Sequence, residues 1–260
     1  MAWRRPWFLA AVSLAVTTIA ALSYAAPLWH DAAYYFLAAR NLALGKGFVV
    51  DFIWAYLPAP ETITHAACLY WMPLTAWVLT LPMAILGPDY RSTLPVVVAL
   101  AAAIPLLTYA IGRKMLDEGY ALAAGLLVLF SGLYLVYWTS TDGFAVYTLV
   151  GVAALYAIDR RDDNLAWASP AGFLIGLAQL TRADGGLLLV VAAIYLSMER
   201  RPGWAKSLAV ITLAFGLTVT PWLWRNVQEM GTSIVSSWGR TVFVTEYNQL
   251  YWYEREATLE

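Results

Sequence analysis

Two kinds of residue are scarce in this sequence: cysteines and charged residues. Cys68 is the single cysteine, so an internal disulfide is excluded and the redox compartment stays open. Charged residues make up only 13% of the 260 positions, whereas a soluble domain contains roughly 25%. The net charge of −1 does not favour nucleic acid binding. The composition therefore argues against a soluble domain.

Apolar and aromatic residues take the place of the missing charges. Hydrophobic residues make up 61% of the chain, which also contains 13 Trp and 16 Tyr. Indole and phenol rings are apolar but carry one polar atom, so they concentrate where lipid meets water. We therefore expect an integral membrane protein.

The first apolar run, residues 7–26, is compatible with either a signal peptide or a retained membrane helix. Arg4 and Arg5 precede it, and residues 23–25 (SYA) loosely resemble a cleavage site. The core of a signal peptide usually has ~7–15 apolar residues, whereas this run has about twenty. We predict a retained transmembrane helix.

Seven apolar runs are predicted to span the bilayer. A helix needs about 20 predominantly apolar residues to cross the hydrocarbon core. Four runs approach this length, and three shorter runs are expected to be tilted, paired or partly re-entrant. In that order they are 7–26, 92–112, 119–138 and 206–224, then 143–158, 166–181 and 185–198.

A further apolar run, residues 66–87, is interrupted by Pro73 and Pro82. Proline breaks helices because it lacks an N–H donor and clashes with the preceding turn. Short cytoplasmic loops are enriched in Lys and Arg. If this run does not cross and the N-terminus is inside, the basic clusters all fall in cytoplasmic segments: Arg4-Arg5, Arg113-Lys114, Arg160-Arg161 and Arg200-Arg201 with Lys206. We therefore predict that residues 66–87 lie along the outer interface or dip into it.

The predicted architecture is an all-α, polytopic membrane helical bundle of about seven spans. Residues 1–260 are expected to form a single transmembrane domain with its N-terminus inside. A long first external loop, 27–91, carries interfacial helices, and an external segment, 225–260, follows the last span. We expect the chain to be either a fragment of a longer enzyme or a short or split homologue.

Several polar residues then face the outside: Asp31, Glu61, His65, Asp142, Arg182 and Asp184. Three of them, Asp31, Asp142 and Asp184, precede or open apolar helical runs, so each is equally a candidate N-cap that bonds free amides of a first turn. Capping and catalysis are compatible roles. The sequence leaves both readings open.

The remaining polar candidates also have two interpretations each. Arg182 either extends to the interface or binds an anionic phosphate, for which the guanidinium fork is well shaped. Arg225 lies at the outer mouth of the last span, where it is an interface anchor or a phosphate ligand. His65 and Cys68 are three residues apart, which is weak evidence for a metal site. Tyr70 and Trp71 form either an interfacial anchor or a platform for a sugar ring or isoprenoid chain.

The order of these features resembles the integral-membrane glycosyltransferases of the GT-C class, in particular bacterial members of family 39 and the RgtA/B/C/D-like group. Protein O-mannosyltransferases and aminoarabinose transferases are more distant relatives. The similar segments cover most of the chain in the right order: HDAAYYFLAARNLALGKGF (30–48), YWMPLTAWVLTLPMAILG (70–87), TSTDGFAVYTL (139–149), GLAQLTRADGGLLL (176–189) and PWLWRNVQEMG (221–231).

The resemblance implies a site at the outer face of the membrane. In such enzymes an acidic residue of the first external loop acts on the acceptor, and Asp31 matches it. Asp142 matches a second acidic residue, in the loop after the third span. Several relatives have two acidic residues at the first position, whereas this chain has Asp31-Ala32, so a divalent cation (Mg or Mn) is not required by the sequence.

The resemblance implies a membrane glycosyltransferase, for hexosyl or pentosyl groups, that uses a polyprenyl-phosphate-linked sugar donor. The expected acceptor is a lipid, a glycan or a protein, and inversion is expected at the sugar. Asp31 and Asp142 are the predicted catalytic residues, and the predicted substrate-binding residues are Glu61, His65, Tyr70, Trp71, Arg182 and Arg225. The expected location is the plasma (inner) membrane. The alternatives are a transporter or flippase of polyprenyl lipids or small solutes, and a noncatalytic membrane subunit.

Overall fold

The structure is a computed structural model of the chain, and it describes residues 5–53, 62–160, 165–199 and 202–230. The described chain is predominantly helical, as predicted. The helices are α1 (Arg5–Leu22), α2 (His30–Ala43), α3 (Leu74–Leu86), α4 (Tyr90–Met115), α5 (Glu118–Leu129), α6 (Leu133–Trp138), α7 (Phe144–Arg160), α8 (Ala168–Thr181), α9 (Leu187–Glu199) and α10 (Trp204–Met230).

A short antiparallel strand pair interrupts the helices. Strand β1 (Val49–Val50) pairs with β2 (His65–Ala66), with Val49 opposite Ala66 and Val50 opposite His65. The Ala67 amide also donates a hydrogen bond to the Phe48 carbonyl at 2.9 Å. The sequence analysis did not predict this pair, because two-residue strands leave no alternating pattern to recognise.

Two helices of the described chain are long and apolar enough to cross a membrane, by length and composition. They are α4, over Tyr90–Met115, and α10, over Trp204–Glu229. Each stretch has 26 residues, so it is about 39 Å long at 1.5 Å per residue, against a hydrocarbon core of about 30 Å. Shorter apolar helices cover Pro6–Leu22, Leu74–Leu86, Glu118–Leu129 and Leu187–Glu199. A count of seven spans stays a prediction.

The proline-containing run 66–87 forms a helix shorter than a span. Helix α3 has 13 residues, so its length is about 20 Å. It begins at Leu74, directly after Pro73, but it continues through Pro82 to Leu86. The expectation that Pro82 interrupts the helix was wrong. Its ring removes one amide donor without ending the helix.

The predicted span 119–138 is not one continuous helix. Helix α5 ends at Leu129 and α6 begins at Leu133. Between them Gly132 adopts φ +63° and ψ −100°, which lies outside the helical region. A glycine reaches positive φ at little cost because it has no Cβ. The prediction of one continuous span over 119–138 was therefore wrong, although Ser131-Gly132 is a dipeptide typical of turns.

The chain forms two compact units. Unit 1 contains residues 1–44 and 75–152, and unit 2 contains residues 45–74 and 153–260. In unit 1 a buried cluster joins Ala101, Ile104, Trp138 and Ala145. Glycine also allows close helix contact there, since a Cβ at Gly125 would lie 2.8 Å from Leu9 Cδ2 and 3.0 Å from the Pro105 carbonyl oxygen.

Unit 2 has its core where α8 crosses α10. A Cβ at Gly172 would overlap the Ile211 carbonyl, and one at Gly176 would lie 2.5 Å from Thr218 Cβ. Glycines four residues apart on one helix face let two helix backbones approach closely, a common contact between membrane helices. The buried residues around this crossing are Ala154, Ala157, Ile158, Ala168, Ala171, Ile175, Ala192, Leu196 and Ile211.

Candidate functional site

The segment between α6 and α7 is a buried polar loop in unit 1. Thr139, Ser140, Thr141 and Asp142 are each at most 6% exposed. The Thr139 hydroxyl donates to the Leu135 carbonyl at 2.7 Å, and the Ser140 hydroxyl to the Tyr137 carbonyl at 2.8 Å. Buried polar groups need such partners, because an unpaired one keeps its full desolvation cost. These bonds fix the shape of the loop.

Asp142 is held in this loop by both carboxylate oxygens. Oδ2 accepts a hydrogen bond from Trp29 Nε1 at 2.6 Å, and Oδ1 accepts one from the Gly143 amide. The Ser140 hydroxyl accepts a bond from the Asp142 amide at 3.3 Å. A carboxylate that accepts from N–H donors on both oxygens is held in one orientation.

Asp31 lies in the first turn of α2, and the residues around it are bonded to the buried loop. Trp29 donates to Asp142, and the Thr141 hydroxyl donates to the Ala32 carbonyl at 2.8 Å. Asp31 itself is half-buried. The two hydrogen bonds thus hold the start of α2 against the loop that carries Asp142, within unit 1.

The prediction that Asp31 and Asp142 are N-caps was wrong, because neither occupies the N-cap position of its helix. Helix α2 begins at His30, so Trp29 occupies the N-cap, and it makes no side-chain capping bond. Helix α7 begins at Phe144, and the Tyr147 amide bonds to the Gly143 carbonyl, which makes Gly143 the residue before the helix. Asp31 still benefits from the positive end of the α2 dipole.

Trp29 is a site residue that the sequence reasoning missed. Its ring centroid lies 4.6 Å from that of Tyr137, and Tyr137 lies 4.7 Å from Phe144. These contacts position the indole N–H that bonds to Asp142. The available signal was a tryptophan two positions before Asp31, next to the helix start.

In unit 2, Arg182 is paired with a carboxylate of its own loop. Its Nε lies 3.1 Å from Asp184 Oδ1, and its Nη2 lies 3.4 Å from Oδ2. Both side chains are about a third to two-fifths exposed. Asp184 was predicted to cap the next span, but α9 begins only at Leu187. The paired carboxylate reduces the positive charge that Arg182 presents to an anion.

The loop after Arg182 is tightly folded. The Gly186 amide donates to Gln179 Oε1 at 2.6 Å, and the Gly185 amide donates to the Arg182 carbonyl at 2.9 Å. A Cβ at Gly185 would overlap the Ala178 backbone. The two glycines therefore let the chain turn back closely against the end of α8.

Arg225 of α10 is held by aromatic rings and an amide. Its guanidinium carbon lies 4.7 Å from the Trp222 ring centroid and 5.7 Å from that of Phe48. Its Nη1 donates to Oδ1 of the fully buried Asn226 at 3.0 Å. Stacking on aromatic faces orients a guanidinium without neutralising its charge.

Cys68 lies near Arg225 and adopts a rare backbone conformation for a non-glycine residue, with φ +58°. Burial raises the pKa of its thiol, and the positive charge of Arg225 offsets this only in part. A buried neutral thiol is a poor nucleophile and a poor metal ligand. Within the described ranges, no group of three or more His, Cys, Asp or Glu is placed to hold a metal ion.

Three of the other predicted binding residues, His65, Tyr70 and Trp71, lie in unit 2. His65 Nδ1 donates to the Ile63 carbonyl at 2.9 Å, because a carbonyl can only accept. Tyr70 and Trp71 meet edge to face with centroids 4.6 Å apart. Glu61 lies outside the described residues. The roles of these residues stay predictions.

The family comparison decides what class of protein this is. Residues 65–224 match the model of the family described as dolichyl-phosphate-mannose-protein mannosyltransferase. The chain belongs to this family. The predicted GT-C resemblance is therefore confirmed, and the chain is a membrane glycosyltransferase of a family that takes its sugar from a polyprenyl phosphate.

The family match includes some of the predicted site residues. His65, Tyr70, Trp71, Asp142 and Arg182 lie inside the matched range, whereas Asp31, Glu61 and Arg225 lie outside it. Comparison with curated proteins and with solved structures returned no match. The roles of the individual residues stay predictions.

Proposed function

We propose that this glycosyltransferase moves a hexosyl or pentosyl group from a polyprenyl phosphate to a hydroxyl or amine of a lipid, glycan or protein at the outer face of the membrane. Asp31 is the general base in this proposal. The observation that carries it is the pair of hydrogen bonds holding the start of α2 to the buried loop, Trp29 to Asp142 and Thr141 to Ala32.

Asp31 takes the proton of the acceptor as the acceptor atom attacks the anomeric carbon. The bond from that carbon to the phosphate oxygen breaks with its electron pair, which leaves a polyprenyl phosphate. One displacement inverts the anomeric configuration. The acceptor atom must come within about 2.6–3.2 Å of the carboxylate for this transfer.

Asp142 serves as a positioning residue. It is 6% exposed, and each of its oxygens already accepts a bond from an N–H group. Both carboxylate oxygens are thus already engaged in hydrogen bonds within the protein. Its bond to Trp29 instead fixes the start of α2, where Asp31 is half-buried and closer to solvent.

Arg225 is our choice for the residue that stabilises the leaving phosphate. Arg182 is paired with Asp184, whose negative charge opposes an incoming phosphate. Arg225 stacks on two aromatic rings and donates to the amide of Asn226, so its guanidinium is held in a defined orientation. A cation positioned where charge develops is a large catalytic contribution.

The test is sugar transfer by the Asp31→Asn variant of the full chain. Proteoliposomes receive radiolabelled polyprenyl-phosphate hexoses and pentoses, with a membrane extract as the source of acceptors. We expect the rate to fall by about 10²–10⁴-fold, since that is the usual contribution of a general base. Asp89→Asn, at an exposed carboxylate of unit 1, is the matched control and should retain activity.

Full transfer by Asp31→Asn at unchanged expression would remove Asp31 as the base. Release of free polyprenyl phosphate is followed in parallel with label transfer. Movement of the labelled lipid across the vesicle membrane without any transfer would instead favour the flippase alternative. If the wild type shows neither sugar transfer nor lipid movement, the result would favour a noncatalytic subunit.

A further inference from the structure

Unit 1 contains a cavity that the proposed transfer reaction does not use. Its volume is about 550 Å³, and it lies where the first turns of α1 and α5 meet the last turns of α4. The lining residues are Pro6, Trp7, Ala10, Leu106, Tyr109, Arg113 and Glu118. The lining is thus mostly apolar, with one cation and one anion.

The level of the cavity is set by α4. This helix is long and apolar enough to span a membrane, and its last turn contains Arg113 and Lys114. Basic residues at the end of a span mark the boundary between lipid and water. Trp7, which is 74% exposed, lies at the same end of unit 1 and suits that boundary too. A cavity at this level opens where the headgroups of bilayer lipids lie.

Arg113 and Glu118 do not neutralise one another. Within the described ranges neither side chain takes part in an ion pair or a hydrogen bond. Arg113 is exposed and Glu118 is half-buried. A guanidinium and a carboxylate that line one cavity but stay apart are complementary to a ligand that carries both charges.

We infer that this cavity binds phosphatidylethanolamine. The phosphodiester pairs with Arg113, whose fork matches two phosphate oxygens. The primary ammonium, two carbons away, donates hydrogen bonds to Glu118. The glycerol end and the first acyl carbons lie along Ala10 and Leu106.

Two related headgroups fit these residues less well. Phosphatidylglycerol carries no cation. Glu118 would then face the uncharged terminal glycerol, close to the negative phosphodiester. The quaternary ammonium of phosphatidylcholine has no N–H to donate, and it is usually bound by a closed aromatic cage. Two aromatic rings, Trp7 and Tyr109, line the cavity, and Trp7 is 74% exposed, so they do not form a closed cage.

The experiment is native mass spectrometry of the purified full chain titrated with each of the three phospholipids. We expect phosphatidylethanolamine to bind about three- to tenfold more tightly than phosphatidylcholine or phosphatidylglycerol, the range for a partly exposed ion pair with hydrogen bonds. Arg113→Gln should weaken its binding by a similar factor. Glu118→Gln should abolish the preference over phosphatidylcholine and improve binding of phosphatidylglycerol.

The matched controls are Arg91→Gln, at the opposite end of α4, and Asp117→Asn, the carboxylate next to Glu118; both are exposed and neither lines the cavity. Equal binding of the three lipids, or equal effects of cavity and control variants, would overturn the inference. The inference would also be overturned if a polyprenyl phosphate bound more tightly than phosphatidylethanolamine and that binding depended on Arg113. Thermal unfolding of each variant identifies any loss of lipid binding that comes from misfolding.

Discussion

At the scale of single residues, the two aspartates are distinguished by their surroundings. Asp142 is buried and accepts hydrogen bonds from Trp29 and Gly143. Asp31 lies half-buried in the first turn of α2. The two carboxylates therefore have different surroundings, and in the proposed reaction they take different roles.

The bond from Trp29 to Asp142 is testable with Trp29→Phe. Phenylalanine keeps an aromatic ring against Tyr137 but removes the indole N–H, so the buried Asp142 Oδ2 loses the hydrogen bond from Trp29. We expect a loss of about 1–3 kcal/mol in the free energy of unfolding. Unfolding in detergent measures this loss, and transfer activity is measured in parallel.

Trp224→Phe is the control for this substitution, because Trp224 is 66% exposed. It should change the free energy of unfolding little. If the two variants unfold alike, the bond between Trp29 and Asp142 contributes nothing to stability.

Arg225 is tested by replacing it with methionine and with lysine. Arg225→Met removes the charge and should lower kcat by about 10²–10³-fold, as the loss of one positioned donor does. Arg225→Lys keeps the charge but loses the fork and the stacking, so we expect partial recovery. Steady-state kinetics with the labelled donor measure kcat for both variants.

Arg160→Met provides the matched control. Arg160 also stacks on an aromatic ring, with its guanidinium carbon 5.4 Å from the Tyr156 centroid, yet it has no proposed catalytic role. Normal kcat in Arg225→Met, combined with loss in Arg182→Met, would transfer the phosphate role to Arg182.

At the scale of secondary-structure elements, glycine decides how closely helices approach. Gly172 and Gly176 face Ile211 and Thr218 where α8 crosses α10. In lipid there is little hydrophobic driving force between helices, so close van der Waals contact contributes more to their association. The α8–α10 crossing therefore depends on the missing Cβ atoms.

Gly172→Ala should separate these two helices. The new methyl group would overlap the Ile211 carbonyl, so the backbones must shift, and we expect a loss of about 1–3 kcal/mol in unfolding free energy. Thermal or denaturant unfolding of the full chain measures it. Gly216→Ala is the control, because a Cβ there meets nothing within 4 Å. An equal loss in both variants would contradict the close-contact explanation.

At the scale of the whole molecule, the distribution of basic residues predicts the orientation in the membrane. Lys46 belongs to the predicted external loop, and Met115 ends α4 next to the predicted internal pair Arg113-Lys114. Both positions are well exposed, Lys46 at 53% of its side chain and Met115 at 80%. They are therefore suitable positions for labelling from one side.

We expect a membrane-impermeant maleimide to label Lys46→Cys in intact cells and Met115→Cys only after permeabilisation. Native Cys68 should stay unlabelled in both cases, because it is buried and burial raises the pKa of its thiol. Labelling of both introduced cysteines from the same side would contradict the predicted topology, and with it the outer location of Asp31.

The helices were largely predictable, but their interruptions were not. The runs 92–112 and 206–224 correspond to α4 and α10, because long apolar stretches are recognisable by composition alone. The break at Gly132 and the continuation through Pro82 were missed. Both depend on backbone angles that are set by neighbouring segments, and one residue's identity does not fix them.

The sequence by itself determined the membrane class, the GT-C resemblance and the choice of Asp31 and Asp142 as candidates. These follow from composition, the order of motifs and residue type. Tertiary structure alone decided that Trp29 bonds to Asp142, that Asp184 pairs with Arg182, and that two aromatic rings orient Arg225. Trp29 and Asp142 are 113 positions apart, so only the folded chain brings their side chains within hydrogen-bonding distance.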